Sequence, residues 1–296
     1  MEKKTRQTSD TELLRRWKVS QSINLIATTI PTPPVEQETL LSELRNPMEG
    51  RPDAWQLSET ALEFVKRCPP LSSESLGPWL WVSNPDPKAE RRKGGKKSRD
   101  ESSRFTERCE KLLSTYLETE TRIQEEMKGK AKGTVTRKLT PLRTELREKL
   151  LTVAKEEDVV CGKVSHRLIP LCAKLIPQQW MLFPEEKEVS RTWKTIVEGV
   201  IQNRLGHVAK VATGPTDAEG RGRALVCVYT KDFSDDGDVR RVLEELVELG
   251  LCPGEGNGRY YKCDAFTYLG LDSNNAYGLK ASIYSSRDVL KAAAAR

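Results

Sequence analysis

Between residues 180 and 284 the sequence switches repeatedly between two periods, and that alternation leaves few architectures open. Residues 180–183 and 208–213 read as strands. In 223–230, Ala224, Val226 and Val228 fall on one side and Leu225, Cys227 and Tyr229 on the other, the two-residue repeat of a strand. Residues 188–205 repeat at helical spacing instead, with Trp193, Ile196, Val197, Val200 and Ile201 on one side and Gly206 as the expected C-terminal cap. Residues 238–249 do the same through Val239, Val242, Leu243, Leu246 and Val247, closed by Gly250. Two further strands are expected over 260–271 and 279–284. Hairpins interleaved with helices predict an α+β fold, a mainly antiparallel sheet with helices packed on one face.

Upstream, Leu62, Phe64 and Val65 suggest a short helix ended by Pro69-Pro70, and 79–82 a strand closed by Asn84-Pro85-Asp86-Pro87. A long helix follows through Cys109, Leu112, Leu113, Tyr116, Leu117, Ile123 and Met127, broken over 129–133. A second amphipathic helix is expected from about Pro141, placed at its first turn, through Leu142, Leu146, Leu150 and Val153. Residues 1–50, with a short helical stretch at 11–18 and a Thr/Pro stretch at 28–34, read as a mostly flexible extension. The division expected is therefore an extension (1–50), a single domain (51–287) and a C-terminal tail (288–296).

The net charge of +6 has a location. Residues 88–99 hold seven Lys/Arg (Lys88, Arg91, Arg92, Lys93, Lys96, Lys97, Arg99) against Glu90, and the rest of the chain has 42 basic and 42 acidic residues. This basic loop reads as an RNA contact or a nuclear-import signal, or else as a solvated insertion; having no aromatic residue, it supplies affinity without base selection. Seven cysteines without a C-x-x-C pair, and two histidines, His166 and His207, do not support an ordinary zinc site. Reduced thiols, the absence of a secretory leader and a longest apolar candidate run of only 23–30 predict a soluble protein of the cytoplasm, the nucleus or both, with no membrane span. Nothing calls for a cofactor or metal, and the oligomeric state stays open.

Aromatic residues on the expected strands (Tyr229, Tyr260, Tyr261, Phe266, Tyr268, Tyr284) can stack on unpaired bases, although alternate rings on a sheet also fill the core beneath helices. Of these, Tyr229 and Tyr268 are the stacking candidates, and Lys210, Arg223, Lys231 and Arg287 the candidate phosphate contacts. Asp232, Asp235, Asp236 and Asp238 precede a helix without the spacing of a calcium loop, and are expected to cap it. A thiol–imidazole pair would have to join His207 to Cys227 or Cys263. Gly254-Glu255-Gly256-Asn257-Gly258 lacks the Gly-Lys-Ser/Thr ending of a phosphate loop and reads as a flexible turn.

Several stretches occur in one order: Trp180-Met181-Leu182-Phe183, the run 192–200 (TWKTIVEGV), Val208-Ala209-Lys210-Val211, the run 226–233 (VCVYTKDF), Phe266-Thr267-Tyr268-Leu269-Gly270 and Ile283-Tyr284-Ser285-Ser286-Arg287. With Asp53-Ala54-Trp55, Cys68-Pro69-Pro70 and Trp79-Leu80-Trp81-Val82 as weaker matches, the chain resembles the uncharacterised family of the basophilic leukemia expressed protein. The resemblance implies the fold of the cap-binding translation initiation factor 4E, a curved antiparallel sheet backed by helices, and brings no catalytic residues. In that factor two Trp rings sandwich a methylated guanine, a Glu pairs with its edge and basic residues hold the phosphates. Here Trp81 and Trp180 align with framework tryptophans, no Trp lies between them, and Ala212 stands at the position of the factor's phosphate-binding Arg. The usual sandwich is therefore not expected. The resulting expectation is a non-enzymatic protein binding RNA or a nucleotide by stacking and phosphate contacts. The alternatives are a protein-interaction module using its convex helical face, including the helix 239–247, and an unrecognised hydrolase.

One segment interrupts the resemblance. Removing 164–179 joins Gly162-Lys163 to Trp180 and restores a Gly-Lys-Trp strand. We hypothesise that this segment is a retained short intron, the alternative being a genuine lineage-specific loop. In the first case His166 and Cys172 are not part of the mature protein, and transcripts that mostly keep the segment would refute it.

Overall fold

The computed structural model describes residues 44–87, 100–157, 179–214, 224–253 and 258–294. In chain order the elements are β1 (Leu44–Arg45), α1 (Ala61–Arg67), β2 (Trp79–Ser83), β3 (Asp86–Pro87), α2 (Asp100–Glu126), α3 (Lys132–Glu156), β4 (Gln179–Leu182) and α4 (Val189–Ile201). There follow β5 (Val208–Ala212), β6 (Val226–Tyr229), α5 (Asp236–Glu248), β7 (Tyr260–Lys262), α6 (Asp264–Tyr268), β8 (Ser282–Ser285) and α7 (Ser286–Ala294). The fold is α+β. Six strands form one open antiparallel sheet in the order β2-β5-β6-β4-β7-β8, and β1 pairs with β3 separately.

Alternation decides the two faces. Leu80 and Val82, Ala209 and Val211, Val226 and Val228, Trp180 and Leu182, Tyr261 and Ile283 point into one continuous core, shared with Phe64, Phe105, Leu150, Trp193, Ile196 and Val242 from the helices. Within it Trp180 meets Tyr261 edge to face (5.2 Å between centroids) and Phe64 meets Trp193 (6.3 Å). Each such fully buried large side chain contributes about 1.5–3 kcal/mol. Helix starts follow local chemistry. Thr60 and Glu63 form a reciprocal capping box at α1, and Asp235 accepts from the Asp238 amide at α5 (3.1 Å), as expected of the acidic cluster.

The structure departs from the sequence reading in several places. The extension does not run to residue 50: Leu44, Asn46 and Met48 are buried, and Asn46 Nδ2 donates to the Trp55 carbonyl (2.6 Å). Helix α3 begins nine residues before Pro141, which lies inside it. The proline forfeits one backbone bond, while pairing with α2 holds the preceding turns; Lys138 reaches Glu126 across the two helices (3.2 Å). Gly206 does not cap α4. Asn203, at φ 57°, makes that turn, and Gly206 is required because a Cβ there would stand 1.6 Å from the Tyr229 carbonyl oxygen. The strand expected over 260–271 stops at Lys262, where the β7–β8 register shifts, and the chain turns into α6, so Phe266 and Tyr268 are helical. Residues read as a tail supply most of α7, whose Val289 and Leu290 pack on the core.

Candidate binding face of the sheet

The face opposite the helices is built by register. Side chains that point away from the core line up across the strands in two rows. The first runs Trp81, Lys210, Cys227, Met181, Tyr260; the second runs Ser83, Val208, Tyr229, Gln179, Lys262. Trp79 lies two residues before Trp81 and therefore shares its face. A small second cluster forms there from Met48, Ala54, Trp81, Val208, Cys227 and Tyr229, with Trp79 and Leu225 against it.

Lys210 is the centre of this face. It is 0% exposed, and its Nζ stands 3.9 Å from the centroid of Trp79, 5.2 Å from that of Trp81 and 5.9 Å from that of Tyr229. The negative π faces of three rings thus surround one ammonium, the nearest ring contributing about 0.5–2 kcal/mol. Next to Tyr229, Gln179 is also fully buried, and neither its amide oxygen nor its amide nitrogen is hydrogen-bonded. Further along the rows the face opens: Met181 and Lys262 are half-buried, and Tyr260 is 54% exposed.

Of the six individually chosen contact residues, the five that are described do not converge. Lys210 and Tyr229 are neighbours, but as buried members of the cluster and not as surface contacts. Tyr268 is on α6, edge-on to Phe105 on the helical side (6.3 Å). Lys231 is exposed beyond the end of β6, and Arg287 is exposed in the first turn of α7. Arg223 and the basic-loop residues Lys88, Arg91, Arg92, Lys93, Lys96, Lys97 and Arg99 lie outside the described residues, as do 164–178. Tyr261 and Tyr284 serve the core. The Tyr261 hydroxyl lies 2.5 Å from Thr230 Oγ1, and the Tyr284 hydroxyl lies 2.9 Å from the Phe233 carbonyl and 2.8 Å from Asp236 Oδ1. Missed in the sequence were Trp79 and Tyr260 as partners of one face; two Trp at i and i+2 of a strand was the signal available.

Of the three groups proposed for a thiol–imidazole pair, Cys263 is fully buried, and Cys227 is pushed up to about 12 by burial, against the pull of Lys210 and Lys262. His207 is held down to about 4 by burial, with Lys231 adding to the effect and Asp238 opposing it. A nucleophile needs the reverse, a lowered thiol beside a base near neutrality. Among the described residues no cluster of three or more His, Cys, Asp or Glu is placed to hold a metal ion, and no helix is long and apolar enough to cross a membrane. On α5, Val239, Val242, Leu243 and Leu246 are consumed by the core, and the outer side carries pairs such as Arg240–Glu244. That helix offers a partner charges instead of an apolar groove.

An open antiparallel sheet with helices on one side and a cation–aromatic cluster on the other defines a layered α+β protein. Residues 3–270 match the basophilic leukemia-expressed protein Bles03 family, and the chain belongs to that family.

Proposed function

We propose that this is a non-enzymatic binding protein with the fold of translation initiation factor 4E, whose sheet face opposite the described helices takes RNA or a nucleotide without the two-tryptophan sandwich. The observation that carries the reading is the composition of that face: three rings from the two strands flanking β5, Trp79 and Trp81 of β2 and Tyr229 of β6, around the Lys210 ammonium, with the first row continuing to the exposed ring of Tyr260. The indoles of Trp79 and Trp81 already face a cation, so a methylated, positively charged base gains little from them. A neutral base stacks on Tyr260, while Lys262 beside it and Lys210 beneath the face supply the positive potential that a phosphate seeks. The depressed His207 and raised Cys227 support a binding role over a hydrolytic one.

The test is fluorescence anisotropy with short labelled RNAs, capped and uncapped. Tyr260→Ala is expected to weaken both alike, by roughly 5- to 100-fold for the removal of one base stack. Equal affinity of the wild type and Tyr260→Ala proteins would remove the sheet face as the site.

A further inference from the structure

The two longest helices reach beyond the sheet. Helix α2 has 27 residues, about 40 Å at 1.5 Å per residue, against about 17 Å for a five-residue strand such as β2. The half near the sheet (Phe105, Cys109, Leu113, Tyr116 with Leu146, Leu150, Val153) belongs to the continuous core. Ile123 and Leu139 are buried but stand outside that core, at the level where Glu126 and Lys138 pair. Beyond them the hairpin ends in a turn of exposed residues at Gly129 (φ 84°), where even an added Cβ would meet nothing within 4 Å.

This tip is strongly and uniformly positive. From Met127 to Thr144 there is no Asp or Glu, while Lys128, Lys130, Lys132, Arg137 and Lys138 are all exposed. Lys138 pairs with Glu126; among the described residues none of the other four has a carboxylate partner. The start of α3 is also poorly chosen for stability alone. Its N-cap, Ala131, makes no side-chain bond, the first turn holds no acid, and Lys132 faces the positive end of the helix dipole. Like charges gathered where local rules ask for the opposite sign mark a place selected for something other than folding.

We propose that the α2–α3 tip is a contact for a nucleic-acid backbone, reading charge and not sequence. The ligand class follows from what the tip lacks. No aromatic residue occurs between Tyr116 and Trp180, and its apolar residues Met127 and Val135 are half-buried. A membrane-inserting face or a protein hot spot would be engaged through such groups, whereas the phosphates of a nucleic acid need only cations; lipid phosphates are the rival that vesicles in the test separate. The proposal deepens the RNA-binding reading with a second contact, on residues the sheet face does not share.

The experiment uses the full chain carrying Lys128→Gln, Lys130→Gln, Lys132→Gln and Arg137→Gln together, titrated with oligouridine and oligoadenosine RNAs over a salt series. Both RNAs are expected to weaken alike, and the slope of log affinity against log salt to shrink by about 0.7 for each phosphate that the variant no longer neutralises. The melting temperature is expected to stay level or rise, since the changed side chains are exposed and repel one another. An unchanged slope overturns the proposal. So does a loss confined to phosphatidylserine vesicles run in parallel, which would make the tip a membrane contact. Tyr260→Ala in the same assay separates the two sites: if only the tip variant weakens binding, the sheet reading fails and the tip stands, and the converse sinks the tip alone. Absence of RNA binding by the wild-type protein at low salt overturns both.

Discussion

The ammonium of Lys210 stands 3.9 Å from the centroid of the Trp79 indole, on a side chain that is 0% exposed, on the face of the sheet opposite the described helices. A buried charge this close to a ring is coupled to it: removing the ring leaves the ammonium in a poorer environment than removing both. Trp79→Ala is therefore expected to cost more stability in the wild-type background than in Lys210→Met. A double-mutant cycle by urea denaturation should give a coupling of about 0.5–2 kcal/mol. A coupling indistinguishable from zero would mean that the ring and the ammonium are close without being energetically linked.

The depressed His207 gives folding stability a pH dependence with a defined sign. In the unfolded chain the imidazole takes up a proton near pH 6.5, whereas in the fold it resists protonation until about 4. Between these values the unfolded state binds more protons, so stability falls as pH drops from 6.5 to 4 and this contribution levels off below. Denaturation midpoints compared across that window should show His207→Asn losing less stability than the wild type, by roughly 1–3 kcal/mol at the acid end. Parallel curves would show that the imidazole titrates normally.

Two glycines are expected to respond oppositely to alanine. At Gly206 the added Cβ would lie 1.6 Å from the Tyr229 carbonyl oxygen, which forces β5 and β6 apart. A loss of several kcal/mol follows, of the size seen for severe overpacking. At Gly133, inside α3, a Cβ meets nothing within 4 Å, and Gly133→Ala should stabilise by up to about 1 kcal/mol through helix propensity. Thermal melts of the two variants test the pair, and a tolerated Gly206→Ala would show that the turn after α4 is free to shift.

Period was readable in the sequence and proximity was not. The alternation of Ala224, Val226 and Val228 against Leu225, Cys227 and Tyr229 assigned both faces of β6 correctly, since a strand alternates whatever it packs on. Lys210 was visible as a basic residue on a strand. Its enclosure by Trp79 and Tyr229 depends on the register of β2, β5 and β6, which joins residues far apart in the chain. Tyr268 was misassigned because the apolar run after Tyr260 suits a strand, and only the short pairing of β7 with β4 turns the chain into α6. The charge arithmetic misled for a related reason: 42 basic and 42 acidic residues balance outside 88–99, yet the acids of α2 and α3 lie along the helices while the lysines collect at the tip.

Gln179 bears on the hypothesis that residues 164–179 are a retained intron. It opens β4 fully buried, with the oxygen and nitrogen of its carboxamide both unbonded, each such atom costing about 1–3 kcal/mol. A residue that belongs at a position seldom fits it so badly. Gln179→Met, similar in length and without the amide, should raise stability by about 1 kcal/mol or more. Removing 164–179 places Lys163 immediately before Trp180 in the chain and takes the unbonded carboxamide of Gln179 away. The shortened chain is expected to fold and to melt at least as high as the full one. Sequenced transcripts should mostly lack the corresponding 48 bases, three for each of the 16 residues. A shortened protein that fails to fold, together with transcripts that keep the segment, would establish 164–179 as a genuine part of the domain.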